Sequence, residues 1–414
     1  MKRRGFLSIA IRIAGGYGAI FLTGCDLMKK EKIQNFGKQF NYLKDPDLRK
    51  REAGDVTLTL DSAYVSNVEF IGQSWNNIRF INCEFVGSHQ IRPKSLEKVI
   101  FENCRFTGVF NLGVLKEVRF LDCQLVGGTH LVGDTGSRST VFERCIFEGA
   151  DSEPNSWGSV GTYGEATFID CRGKWFDISG YAGLTLVSCE FDEVGCQPAG
   201  GGEGLYAPVL LERCKLRGRF NMVSADLQSL TIRDTVLDHL DLTNATIKDD
   251  LVIERVRGGA IQVGIKEAAR AFSMKDSQIH GNGISVCYVY AGAFDSVLIE
   301  RCIFGGDVTK PVIIAGGFDP DNKETQPVMT RRLTLRDNRI PFLCSGYLNA
   351  GDVVIEGNTI ESLDVQQGRL DSLEIAGNTI TRSVNFTGTQ AKKSKVQRLA
   401  KDQAKLDGSN IKLS

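Results

Sequence analysis

The sequence predicts an all-β chain wound as a parallel β-helix, a solenoid, and three observations carry that prediction. First, an apolar residue, two mostly polar ones and a small residue return about every 21 positions: Phe80 to Cys83, Phe101 to Cys104, Phe120 to Cys123, Phe142 to Cys145, Phe168 to Cys171, Leu186 to Cys189 and Leu211 to Cys214. The same rung continues with other small residues at Ile232 to Thr235, Ile253 to Val256, Met274 to Ser277, Ile299 to Cys302, Leu335 to Asn338, Ile355 to Asn358 and Ile375 to Asn378. A fixed period of this length means stacked units that bury one continuous core. Second, between Leu333 and Ser383 inward-type residues fall five apart: Leu333, Asn338, Leu343, Leu348, Val353, Asn358, Leu363, Gly368, Leu373, Asn378 and Ser383. Third, the local alternation is strand-like and too often cut by Gly, Asn and Asp to be helical, while no hairpin signals reverse the chain.

The chain opens with an export signal over residues 1–24. Lys2, Arg3 and Arg4 precede a moderately apolar stretch, and such a segment is set aside from fold reasoning. The stretch is short and carries Arg12, so it falls below the ~20 apolar residues that a membrane span requires. Leu22-Thr23-Gly24-Cys25 resembles a bacterial lipobox, which implies that Cys25 is lipidated and becomes the first residue of the mature chain. A multiply acylated Cys25 would anchor stably, because acyl chains add about 0.8 kcal/mol per buried methylene. Asp26 resembles the inner-membrane retention signal of enteric lipoproteins. Arg3-Arg4-Gly5-Phe6-Leu7 resembles the twin-arginine export motif, an address rather than an anchor.

Residues 25–55 read as a lipid-anchored linker and a short helical cap. Between 29 and 44, Ile33, Phe36, Phe40 and Leu43 share one helical face among Lys29, Lys30, Lys32 and Lys38. Such a helix either lies on the membrane surface or covers the first coil, whose unpaired edge would otherwise aggregate.

Residues 56–388 form the β-helix itself. Eight of the twelve cysteines share one phase of successive coils and are expected to stack inside as small hydrophobes; Cys196, Cys287 and Cys344 lie off that column. In-register Cβ atoms about 4.8 Å apart are too distant for good disulfides, and no Cys-x-x-Cys or clustered His supports zinc. Asn338, Asn358 and Asn378 are expected to form an amide ladder. Cys-Glu-Phe at 83–85, Cys-Arg-Phe at 104–106, Cys-Lys-Leu at 214–216 and Asn-Thr-Ile at 358–360 and 378–380 resemble the repeats of the pentapeptide-repeat-like, right-handed quadrilateral β-helices. In that family Ala usually holds the small position, where this chain has Cys and Asn, and the spacing here slips in many coils. Those departures leave open a three-faced β-helix of the pectate-lyase-like kind.

Residues 389–414 read as a polar, Lys-rich tail, with a weak helix over 391–406 and a frayed terminus.

Function is expected where coils exceed the period. The intervals Cys145 to Cys171, Cys189 to Cys214 and Cys302 to Asn338 span 26, 25 and 36 residues, and their extra residues are expected to leave one edge of the rod. Trp157, Tyr163, Tyr206 and Phe318, with Asp151, Glu153, Glu203 and Asp319, are candidates to line a carbohydrate-binding groove. The competing reading is solvated loops with no ligand.

Catalytic signatures are scarce. His89, His130, His239 and His280 fall in different coils, and each reads as a surface or turn residue rather than a base. No phosphate loop or dinucleotide fingerprint is present, and no cofactor or metal is expected. The 50 basic and 50 acidic side chains give no global field for nucleic acid. The expectation is a membrane-anchored, non-catalytic binding or scaffolding protein of the bacterial cell envelope, partnered by an envelope protein or polysaccharide. The alternative is a polysaccharide lyase or glycoside hydrolase built on the same fold, which a fold by itself does not establish.

Overall fold

A computed structural model describes residues 41–42, 57–66, 74–87, 93–148, 158–198, 206–280, 284–287, 294–306, 311–316, 328–400 and 402–413. From residue 57 onward these residues form a parallel β-helix. Every strand pairing is parallel and links one coil to the next, for example Val118–Leu121 to Thr140–Glu143, Thr140–Glu143 to Glu165–Ile169, and Glu165–Ile169 to Gly183–Val187. The register holds each rung residue over its equivalent: Phe80 pairs with Phe101, Phe101 with Phe120, Phe120 with Phe142 and Phe142 with Phe168. Identical side chains therefore meet face to face. The rings of Phe101, Phe120, Phe142 and Phe168 stack at centroid separations of 4.8, 4.6 and 4.7 Å. Such pairs are worth about 0.5–1.5 kcal/mol each beyond simple burial.

The column next to the phenylalanines is the predicted one. Cys83, Cys104, Cys123, Cys145, Cys171, Cys189, Cys214 and Cys302 are all buried free thiols. Each Sγ sits near the rung carbonyl of the coil before: Cys123 to Phe101 at 3.4 Å, Cys145 to Phe120 at 3.3 Å, Cys171 to Phe142 at 3.4 Å. Where the column changes residue type, the polar groups become donors and acceptors for the same backbone. Thr235 Oγ1 donates to Arg233 O at 2.7 Å and accepts from Cys214 N at 3.2 Å, and Ser277 does the same between Lys275 O and Val256 N. Asn338, Asn358 and Asn378 then form the amide ladder. Nδ2 of Asn338 donates to Oδ1 of Asn358 at 2.9 Å, and Nδ2 of Asn358 to Oδ1 of Asn378 at 3.0 Å.

The residue before each column position turns with positive φ, from Ser62 (54°) and Asn82 (52°) through Arg144 (54°), Arg255 (51°) and Asp337 (54°) to Gly357 (68°) and Gly377 (64°). Left-handed backbone is costly for most L-residues and natural for Asn, Asp and Gly, which fill many of these sites. In the regular stretch Leu333 and Leu335, Asn338 and Ile340, Leu343 and Ser345, Leu348 and Ala350, and Val353 and Ile355 are buried in pairs. In that stretch the buried pairs thus recur every five residues through each twenty-residue coil.

Two expectations are corrected. No helix occurs among the described residues, and Asn41–Tyr42, inside the predicted cap helix, is a strand. The rest of that cap lies outside the described residues. The tail is not helical either: Gln390–Val396 and Ala404–Lys405 continue the β-helix, and Leu413 bridges Val396. The reason is register. Ala391 and Val396 point into the core, while the outward Lys392 and Lys395 pair with Asp371 and Glu374 one coil back at 2.6 and 2.7 Å. Polar composition there marks a solvated face, not an unstructured end.

Candidate functional site

The long intervals depart from the coil at two neighbouring corners rather than from one edge. Residues 149–157 fall between Glu148, paired with Lys174, and Gly158, paired with Phe176, where the next coil has only Trp175. Phe304 occupies the same column as Phe147, and the chain regains register at Val312, opposite Phe342, so the extra residues fall at that same corner. Residues 199–205 follow Pro198 at the next corner, opposite Tyr181 and Gly183, and residues 317–327 replace Tyr347 between Ile314, paired with Cys344, and Val328, paired with Leu348. A run of about five residues per coil always lacks room for an insertion, so extra chain collects at its ends. The segment between the two corners is therefore bordered by insertions on both sides.

The outward row on that segment carries chemistry. Strand register places His130 beside Ser159, Ser159 beside Asp177 and Asp177 beside Gly195 in four consecutive coils. His130 Nδ1 lies 2.7 Å from Ser159 Oγ. All three polar side chains are half-buried, flanked by inward Leu131, Val160 and Ile178. Burial lowers the His130 pKa and raises that of Asp177 to about 6. A Cβ on Gly195 would stand 2.0 Å from Asp177 Oδ1, so the carboxylate occupies the place a side chain would take. Among the described residues no donor satisfies Asp177, an unusual state for a partly desolvated carboxylate.

Of the residues singled out in the sequence, Tyr163 and Tyr206 are described. Tyr163 turns with φ 50° and is 41% exposed, and its ring lies over Gly180, where a Cβ would be 3.2 Å away. Register opposes Glu165 to Gly183 and Leu184 to Val209, which brings Tyr163 and Tyr206 to the same side of the rod, two coils apart. Lys248 stands 4.6 Å over the Tyr206 ring and bonds Glu267 at 3.0 Å; the Tyr206 hydroxyl, then Glu267, raise the lysine pKa. Tyr206 is thus already engaged. Cys25, Asp151, Glu153, Trp157, Glu203, Phe318 and Asp319 lie outside the described residues, as does His89.

His130 is the histidine whose reading changes, from a turn residue to a member of a polar row. Its link to Ser159 spans 29 residues, one coil plus an insertion, which is invisible to any motif of fixed spacing. The signal that finds it is phase: His130 follows its column Cys by seven residues, and Asp177 and Gly195 follow theirs by six. Among the described residues no group of three or more His, Cys, Asp or Glu side chains is placed to hold a metal, and no helix there is long and apolar enough to cross a membrane. No family model, curated protein or solved structure matches this chain.

Proposed function

We propose that this protein is a lipid-anchored, non-catalytic binding or scaffolding protein of the bacterial cell envelope, with a pentapeptide-repeat-like rod held to the membrane through Cys25. The observation that carries the binding half of this reading is the His130–Ser159–Asp177 row on a segment bordered by insertions at both edges. Among the described residues the interior of the rod is filled by a continuous core of Phe, Leu, Ile and Cys, so recognition is assigned to its outer face. The membrane half rests on Leu22-Thr23-Gly24-Cys25 behind a basic, apolar leader, and Asp26 favours the inner membrane. Partners on this reading are an envelope protein or polysaccharide.

A second reading, glycan cleavage, is favoured by one observation: Asp177 and His130 are pushed to opposite sides of their ordinary ranges within one row, as acid and base partners often are. Against it, hydrolysis with two carboxylates needs a second acid, and Asp177 stands beside Ser159 and Gly195. The test is a pull-down from envelope membranes with the anchor intact, beside the Cys25→Ala chain. Binding of a saturable partner, with lipid on Cys25 by mass spectrometry, supports the reading. An intact, unmodified leader on the wild-type chain overturns the anchor, and turnover of glycan that Asp177→Asn abolishes overturns the non-catalytic assignment.

A further inference from the structure

We propose that Asp177, Ser159 and His130, with the ring of Tyr163 at their edge, form a subsite for a neutral, hydroxyl-rich oligosaccharide lying along the rod. The inference rests on the binding reading above and names its ligand class. Asp177 is a half-buried carboxylate without a donor among the described residues. Leaving such a group unpaired is costly, and a ligand that brings paired hydroxyl donors removes the cost. Ser159 can both accept and donate, and His130, with Nδ1 engaged by Ser159, keeps Nε2 as a second polar atom of the row. These three groups stand in successive coils about 4.8 Å apart along the axis, so polar contacts repeat along one line, as hydroxyls do along a sugar chain.

The fourth element is apolar. The Tyr163 ring lies against Gly180 in the Asp177 strand, with its edge carbons 3.2–3.4 Å from where a Cβ would stand, and remains partly exposed. A flat ring three residues along the strand from a carboxylate suits a sugar chain, which has hydroxyls on its rim and C–H groups on its ring faces. An anionic glycan is disfavoured because its carboxylates would face Asp177. A cationic ligand would satisfy Asp177 but leave Ser159, His130 and the Tyr163 ring without a role.

The experiment is binding of the full mature chain to an array of neutral oligomers of glucose, mannose and N-acetylglucosamine, beside uronic-acid oligomers and a lysine-rich peptide. A neutral oligomer should bind. Asp177→Asn should weaken it about tenfold or more, the scale of a charge-assisted hydrogen bond. Gly195→Ala, which displaces the carboxylate without removing it, should act in the same direction, and Tyr163→Ala should cost about threefold. Circular dichroism and melting of each variant separate lost binding from lost fold. The proposal is overturned if no neutral oligomer binds, if only the uronic-acid oligomers or the peptide bind, or if folded Asp177→Asn and Gly195→Ala chains bind like the wild type. A blank array with a saturable protein partner in the pull-down defeats the glycan inference and leaves the binding reading standing. Blanks in both defeat both.

Discussion

Arg255 reaches from one left-handed corner to the corner of the preceding coil and closes both oxygens of Asp234 in a fork, Nε to Oδ1 at 2.6 Å and Nη2 to Oδ2 at 2.9 Å. Arg144 holds Asp122 in the same way, and Arg301 holds Asp276. These arginines adopt φ near +50°, a conformation that a β-carbon disfavours. Backbone strain and charge pairing therefore oppose each other at one residue. Arg255→Gly, which loses the fork but removes the strain, should melt above Arg255→Ala, which loses the fork and keeps the strain. Calorimetry on the two variants decides it, and raised salt should narrow the gap between wild type and Arg255→Ala.

The amide ladder should be less tolerant than the thiol column. Asn358→Leu removes the acceptor shared by the backbone N–H and side-chain amide of Asn338 and the side-chain donor to the carbonyls of Leu335 and Glu356, so a loss of about 3 kcal/mol is expected. Asn358→Cys, which restores the column's more frequent residue and a donor to the same carbonyls, should lose less. Urea titration of both variants at one temperature checks the order.

Buried thiols in the column should resist alkylation in the native state and react after unfolding. Packed in register in an apolar column, they stay protonated; burial is the main cause that takes Cys302 up to about 11. Cys123→Ala should cost about 1–2 kcal/mol, the scale of a small buried group. Rapid native labelling of Cys104, Cys123 or Cys145 contradicts the inward phase.

Two acidic populations should pull stability in opposite directions with pH. Asp177 is raised to about 6, and burial also raises Glu84 and Asp364. Their folded forms hold protons more tightly than the unfolded chain, so their contribution is fully present below pH ~4 and is lost as pH rises, for Asp177 through about 6. Asp122, Asp234 and Asp276 are lowered, first by hydrogen bonds from their arginines, so their contribution is present above pH ~4 and is lost on further acidification. Melting temperature against pH should thus fall between pH 5 and 7, and Asp177→Asn should flatten that fall and stabilise the chain at pH 7 by about 1–2 kcal/mol.

The fold was legible because a β-helix writes its core into the chain at a constant interval. Phe80, Phe101 and Phe120 share a phase in sequence and a stack in space for the same reason. The tail reads as polar in sequence because Lys392, Lys393 and Lys395 outnumber the two inward residues, Ala391 and Val396, of the strand Gln390–Val396. The candidate site was legible only in part. Long intervals pointed to Tyr163 and to the coils of Ser159 and Gly195, while His130 and Asp177 sit in coils without an insertion, and the polar row depends on which residue of an irregular coil faces its neighbour. Insertions of different length shift that count, so Ser159 lies fourteen residues beyond its column Cys while Asp177 lies six beyond its own.

The forks at the corners also constrain how such a rod can change length. From Arg213 the corner residues alternate in sign through Asp234, Arg255, Asp276 and Arg301 to Asp337, each one coil from the next. Removing the single coil that carries Arg255 would set Asp234 against Asp276, like charge on like charge at the new junction. Removing two adjacent coils would restore the alternation. In this stretch the rod has a parity: it can gain or lose coils in pairs without electrostatic conflict, and an odd change would be felt at the junction even though every coil buries the same core.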